Sequence, residues 1–198
     1  MIKTLTVATR NNKKLFELRR YLRGAQIRLV SLRTVKGSPE VEEDGMTFKA
    51  NASKKALETS RFTEGLVLAD DSGLVVDALK GEPGVRSARF AGDDAIDIEN
   101  NAKLLRLLKD VAPKKRTARF VCHVAIADNG KLVKNIEENC KGLISYEVRG
   151  RQGFGYDPLF LIPKYGKTFG ELGLKVKDTM SHRSKALRKA VVFLKKYR

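Results

Sequence analysis

No apolar run in this chain is longer than a few residues; Gly65 to Ala69 and Val191 to Leu194 are typical of the longest. A helix needs about 20 predominantly apolar residues to cross a bilayer. The chain must therefore fold by assembling short strands and amphipathic helices around a core, and no membrane-spanning helix is expected. Its 198 residues suit one large domain or two closely packed lobes, spanning residues 1–198. Apolar residues recur in periodic runs, and Gly 16 with Pro 5 is too little for a low-complexity chain, so disorder is not expected. Lys3 to Ala8 reads as a strand, and the charged Arg10 to Lys14 follows at once. No secretory leader and a cytoplasmic location are the expectation. Cys122, Cys140, His123 and His182 are too few and too scattered for a disulfide framework or a four-ligand zinc site.

The opening pattern is strand, helix, strand, helix. Asn11 can cap a helix that carries Leu15, Leu18 and Leu22 at helical spacing and stops at Gly24. Ile27 to Leu32 reads as a second strand. After a polar loop around Pro39, a second helix is expected from Thr47 to about Thr59, with Phe48, Ala52 and Ala56 inward. Leu66 to Ala69 and Leu74 to Val76 read as two strands broken at the acidic turn Asp70, Asp71, Ser72, Gly73. Asp93 or Asp94 can cap a helix carrying Ile96, Leu104, Leu105 and Leu108. Arg119 to Ala127 and Lys131 to Ile136 flank a hairpin signal at Asp128, Asn129 and Gly130. Ser181 to Tyr197 reads as a closing amphipathic helix. The predicted class is α/β, with a mixed sheet covered by helices.

Charge is unevenly divided. Residues 1–99 hold 17 Lys and Arg against 15 Asp and Glu, whereas residues 100–198 hold 23 against 8. An excess confined to one half suits a polyanionic partner, and a solvated basic surface explains it equally well.

Five segments carry candidate chemistry. Thr9, Arg10, Asn11, Asn12, Lys13 and Lys14 join a strand to a helix N-terminus, where N–H groups and the helix dipole favour an anion; ordinary capping beside solvated lysines is the competing reading. Glu42, Glu43 and Asp44 lie in one loop, and Asp70 and Asp71 close an apolar run. Such acids need a counter-charge, either Mg²⁺ shared with substrate phosphates or a basic side chain. Gly153 to Pro158 reads GFGYDP, where glycines admit a ligand to the backbone and Phe154 or Tyr156 could stack on a base; a tight aromatic turn is the alternative. Ser181, His182 and Arg183 follow Lys177. They could form a ring of donors around an oxygen-rich ligand, or a helix cap; a triad built on Ser181 or Ser72 is disfavoured because neither lies in a nucleophile-elbow pattern.

Taken together, TRNNKK (Thr9 to Lys14), EEDGMTFKANASKKA (Glu42 to Ala56), ADDSGLVVDALKGEPGVRSARFAG (Ala69 to Gly92), GFGYDP and SHRSKAL (Ser181 to Leu187) resemble, in order and spacing, the inosine triphosphate pyrophosphatases, or non-canonical purine NTP pyrophosphatases. The resemblance spans nearly the whole chain. It implies an elongated, two-lobed α/β fold around a central mixed sheet, with the active cleft between the lobes. It also implies Mg²⁺-dependent hydrolysis of ITP, dITP and XTP to the monophosphate and pyrophosphate by a cytoplasmic homodimer. By motif matching, Thr9, Asn11 and Lys14 fall on the phosphate-binding segment, Glu42 and Asp71 on the metal-associated acids, and Asp71 also on the general base. Ser72, Phe154, Gly155, Tyr156, Asp157, Lys177, His182 and Arg183 match substrate-binding positions. Two departures stand out: Arg10 replaces a glycine, and Arg86 stands where a tyrosine is common.

The chemistry accounts for these residue types. Water attacking the α-phosphorus expels pyrophosphate, whose charge Mg²⁺ and lysines stabilise, while a carboxylate takes the proton. Hypoxanthine and xanthine present a 6-oxo acceptor that suits donors such as His182 and Arg183; adenine's 6-amino group does not. The alternatives are a pyrophosphatase for modified or pyrimidine nucleotides, and a basic nucleic-acid-binding protein. No specific nucleic-acid partner is expected, because no zinc-finger or RNA-binding signature is present.

Overall fold

Seven strands form one mixed sheet in this computed structural model, which describes residues 3–35, 37–38 and 40–197. Pro39 lies outside the described residues. The strands are β1 (Lys3–Val7), β2 (Ile27–Ser31), β3 (Leu66–Val76), β4 (Thr117–Asp128), β5 (Lys131–Ile144), β6 (Phe160–Ile162) and β7 (Lys167–Thr168), ordered β2-β1-β3-β4-β5-β6-β7. β1 pairs in parallel with β2 and β3, whereas β5–β6 and β6–β7 are antiparallel. Parallel neighbours need a crossover. The helices α1 (Asn12–Tyr21) and α2 (Phe48–Phe62) supply the first two, and α3 (Asp97–Leu107), α4 (Phe169–Met180) and α5 (His182–Lys196) follow. The α/β expectation holds.

The chain divides into two units. The first comprises Met1–Asp71, Cys122–Glu138 and Lys185–Arg198. Strand alternation sorts its side chains onto two faces. Leu5, Val7, Leu66, Leu68, Val124 and Ile126 meet Leu15 and Leu18 of α1 and Ala186, Leu187, Ala190 and Leu194 of α5. Their neighbours Ala8, Val67, Ala69, Ala125 and Ala127 meet Ala52 and Ala56 of α2 in a layer of small side chains. α1 begins where expected: Asn11 Oδ1 accepts the N–H groups of Lys13 and Lys14 at 2.9 and 3.2 Å.

The second unit comprises Ser72–Val121 and Asn139–Ser184. Leu74, Val76, Phe120, Ile144, Phe160 and Ile162 pack with Leu104, Leu108 and Phe169. Phe120 and Phe160 lie 4.4 Å apart, tilted by 43°. Arg116 is also buried here, its guanidinium donating to the carbonyls of Ile144, Leu108 and Ser145. Those three bonds compensate a charge that burial would otherwise exclude.

Several boundaries differ from expectation; β5, for one, runs to Ile144 instead of ending at Ile136. Asp70 to Gly73 is no turn, because β3 runs unbroken from Leu66 to Val76. Its two aspartates are buried, with cationic and amide partners described below. α3 starts at Asp97 instead of after Asp93 or Asp94; Glu99 Oε2 accepts the Ile96 N–H at 2.9 Å and sets the start there. α4 has no counterpart in the sequence reading, and its path breaks at Gly173, where φ is 74° and ψ 171°. The hairpin forms as expected, with Asn129 and Gly130 both at positive φ.

Candidate active site

The acidic residues of the first unit sit within a basic and amide frame. Lys14 lies in the first turn of α1, and its Nζ is 3.0 Å from Asp70 Oδ2. Lys55 Nζ donates to the Asp70 carbonyl at 2.7 Å and pairs with Glu43 Oε1 at 3.0 Å. Asn51, one turn earlier on α2, donates from Nδ2 to Asp71 Oδ2 at 3.0 Å. Thr47 caps this helix, accepting the Ala50 N–H at 3.1 Å, so a fixed element carries both side chains. Asp71 is only 5% exposed. Burial pushes its carboxyl above the ordinary aspartate range, and the charge of Glu43 adds to this. Lys55, Lys14 and the Asn51 hydrogen bond pull the other way.

Thr9 and Asn11 shape the adjoining turn. Thr9 Oγ1 accepts the Asn11 N–H at 3.2 Å, and Asn11 commits its side-chain oxygen to capping α1. The capping reading of Asn11 is thus realised, with Lys14 held beside it. Arg10 is not among the residues with positive φ, so the turn accepts an arginine where a glycine is usual. Glu42 is exposed. Its neighbour Glu43 pairs with Lys55, and Asp44 pairs with Lys54 at 2.8 Å.

The aromatic and cationic residues gather in the second unit. Asp157 Oδ2 accepts from the Phe154 N–H at 2.9 Å and from Lys177 Nζ at 2.6 Å. Both members of this ion pair are buried, which makes it a device for fixing geometry more than a source of stability. Gly153 is obligatory: its φ is +82°, and a Cβ there would lie 2.0 Å from Asp157 Oδ2. The half-buried ring of Phe154 has Lys177 Nζ 4.7 Å and Arg183 Cζ 5.5 Å from its centroid. Arg183 Nη2 donates to Ser72 Oγ at 2.7 Å. α3 holds the loop from its other side, since Gly155 donates its N–H to Asp97 Oδ2 at 2.8 Å and receives Asn101 Nδ2 on its carbonyl at 3.0 Å.

Five of the expected substrate-binding residues are buried: Tyr156, Asp157, Lys177, His182 and Arg183. Tyr156 is buried and its hydroxyl donates to the Ser87 carbonyl at 2.8 Å. Burial also pushes its phenol well above the ordinary range. Of the two rings in the loop, that of Tyr156 is buried and that of Phe154 half-buried. His182 is buried against Phe120, the rings nearly parallel with centroids 4.8 Å apart. Ser181 accepts the Ser184 N–H as a helix cap, while Ser72 receives Arg183, so both candidate nucleophiles are otherwise engaged. Arg86 is exposed in a 3₁₀ turn spanning Gly84–Arg89.

Sequence reasoning missed Asn51, Lys55, Asp97 and Asn101 as site-building residues. Each pair is spaced by four, which places its members on one helix face. Asn51 and Lys55 also adjoin Ala52 and Ala56 on a buried face, the one signal that could have singled them out. Among the described residues no group of three His, Cys, Asp or Glu side chains converges on a metal position. The donors present still suit Mg²⁺, which takes one or two carboxylates from a protein and completes its shell with phosphate and water oxygens. The burial that pushes Asp71 toward its neutral form is a penalty that a bound cation relieves.

Comparison with known proteins identifies the family. The model of the Ham1 family matches residues 5–193. A Desulforamulus reducens protein named dITP/XTP pyrophosphatase is 52% identical over 190 residues, covering 96% of this chain and 94% of its own length. One of the same name from Rhodopirellula baltica is 53% identical over 185 residues, covering 93% and 89%. The solved structure of a HAM1 protein from Coxiella burnetii superposes with a TM-score of 0.89 at 36% identity, covering 98% of this chain and 99% of that one.

Proposed function

The chain belongs to the Ham1 family and is a nucleoside triphosphate pyrophosphatase, and from that premise we propose that it hydrolyses dITP, ITP and XTP by water attack at the α-phosphorus. The single observation that carries the mechanism is the buried Asp71 carboxylate beside Lys14 and Lys55. A carboxylate raised in pKa by burial is a better proton acceptor than one in water, and two lysines nearby suit a polyphosphate.

In the proposed reaction, Asp71 accepts a proton from the water whose oxygen bonds to the α-phosphorus. The bond from that phosphorus to the α,β-bridging oxygen breaks, and the electron pair leaves with pyrophosphate. Lys14, with Thr9 and Asn11 shaping its turn, receives phosphate oxygens at the start of α1. Glu42 and Asp71 would hold Mg²⁺, with Glu43 beside them. When bound, the ion neutralises the developing charge on the leaving group. Phe154 offers its face to the purine, and Arg183 and His182 donate toward the 6-oxo group. Lys177 and Asp157 fix the loop that carries Phe154. The resemblance further points to a homodimer working in the cytoplasm; no helix among the described residues is long and apolar enough to cross a membrane.

A substrate panel with product identification tests the reading. Pyrophosphate plus the monophosphate from dITP, ITP and XTP, with little turnover of ATP, GTP and the pyrimidine triphosphates, is expected. Phosphate plus a diphosphate, or a preference for pyrimidines, contradicts it.

A further inference from the structure

Asparagine is a poor choice for a helix interior, since its amide competes with the backbone for hydrogen bonds and its side chain loses freedom when buried. Asn51 nonetheless sits in α2 at 1% exposure. Its two polar atoms are each committed. Gly45 N–H donates to Asn51 Oδ1 at 2.7 Å, and Asn51 Nδ2 donates to Asp71 Oδ2 at 3.0 Å. The amide cannot be turned round, because a backbone N–H can only donate and so requires the oxygen on its side. Gly45 confirms how close the approach is: a Cβ there would lie 2.6 Å from Asn51 Oδ1.

One buried side chain thus ties the acidic loop carrying Glu42, Glu43 and Asp44 to the acidic end of the β3 segment in the first unit. We propose that Asn51 is a positioning residue that orients the Asp71 carboxylate for proton transfer while pinning that loop through Gly45. The inference rests on the pyrophosphatase reading above, in which Asp71 accepts the proton. A donor held at Oδ2 restricts rotation of the carboxylate, and so fixes the direction in which Oδ1 presents its lone pairs. Terminal carboxylate torsions are broad when unrestrained, and a misplacement of about 1 Å can cost on the order of 10²-fold in rate. Lys55 does not duplicate the role, because its ammonium goes to the Asp70 carbonyl and to Glu43.

The test is a double-mutant cycle on the full chain. Asn51→Asp keeps the volume and the acceptor for Gly45 and, ionised, offers no donor to Asp71; the neutral Asn51→Ser controls for like-charge repulsion. With dITP, kcat should fall by about 10- to 100-fold while KM changes by less than about 3-fold. In an Asp71→Asn background the same substitution should cost no further kcat, since the oriented group is gone. Asn51→Ser, smaller and unable to bridge both partners, should behave alike and serves if the aspartate variant fails to fold; thermal unfolding reports the folded fraction of each. An equal loss in both backgrounds, a loss confined to KM, or wild-type kcat in folded Asn51 variants would overturn the inference. Wild-type release of pyrophosphate from dITP checks the underlying reading separately: an inactive wild type overturns both, and an active wild type with an additive cycle overturns this inference alone.

Discussion

Asp71 combines burial, a neighbouring acid and two lysines, and its carboxyl is held above the ordinary aspartate range chiefly by burial. A raised pKa means that the folded state binds the proton more tightly than the unfolded chain does. As pH rises through the window between the unfolded and folded values, the native state therefore loses stability relative to the unfolded one. Metal-free Asp71→Asn should then melt no lower than wild type at pH 7, with its relative gain shrinking toward pH 4, while kcat drops by at least about 10²-fold. A clear destabilisation at pH 7, or near-wild-type turnover, would contradict this account of the residue. Arg183 carries the prediction for base selection, since it lies beside the Phe154 ring and reaches Ser72. Losing one donor is worth roughly 0.5 to 1.5 kcal/mol, more if charged, so Arg183→Ala should lower the ITP-to-ATP ratio of kcat/KM by about 3- to 100-fold. An unchanged ratio would mean that the guanidinium serves phosphate or structure instead. His182, stacked on Phe120, should show a loss of stability alongside any change in selectivity.

Elements show where the sequence was informative and where local patterns misled. β1, α1, α2 and the hairpin at Asn129 and Gly130 were legible because each combines periodicity with a residue of fixed local role, such as the Asn11 cap. β3 was misread as two strands because Asp70, Asp71, Ser72 and Gly73 look like a turn when partners are unknown. The strand continues because Lys14, Lys55 and Asn51, far away in sequence, supply the charge and hydrogen bonds that buried carboxylates need. The candidate site was legible as residue types in a familiar order. Its supports were not, because Asn51 reaches Asp71 across 20 residues, and Asp97 and Asn101 reach Gly155 across 58 and 54. The loop from Gly153 to Asp157 illustrates the coupling. Gly153→Ala forces a Cβ against Asp157 Oδ2 at a φ of +82°, so it should destabilise the fold by about 1 to 3 kcal/mol in denaturant unfolding and lower kcat/KM for every purine triphosphate. Wild-type stability in that variant would show that the loop is looser than its bonds to Asp97, Asn101 and Lys177 imply.

At the scale of the whole molecule, the net charge of +17 sets how anionic partners approach. Long-range attraction of a triphosphate is screened over about 8 to 10 Å at ordinary ionic strength. The account therefore predicts that kcat/KM for dITP falls as salt rises while kcat changes little; salt-independent kcat/KM would remove any steering role for the basic half. Tight, salt-sensitive binding of DNA or RNA without triphosphate turnover would favour the nucleic-acid reading instead. The central claim, that water joins the α-phosphorus, is tested most directly by turnover of dITP in oxygen-18 water with mass analysis of both products. The account predicts one labelled oxygen in the nucleoside monophosphate and none in pyrophosphate. Label in the pyrophosphate would place the attack at the β-phosphorus and contradict it.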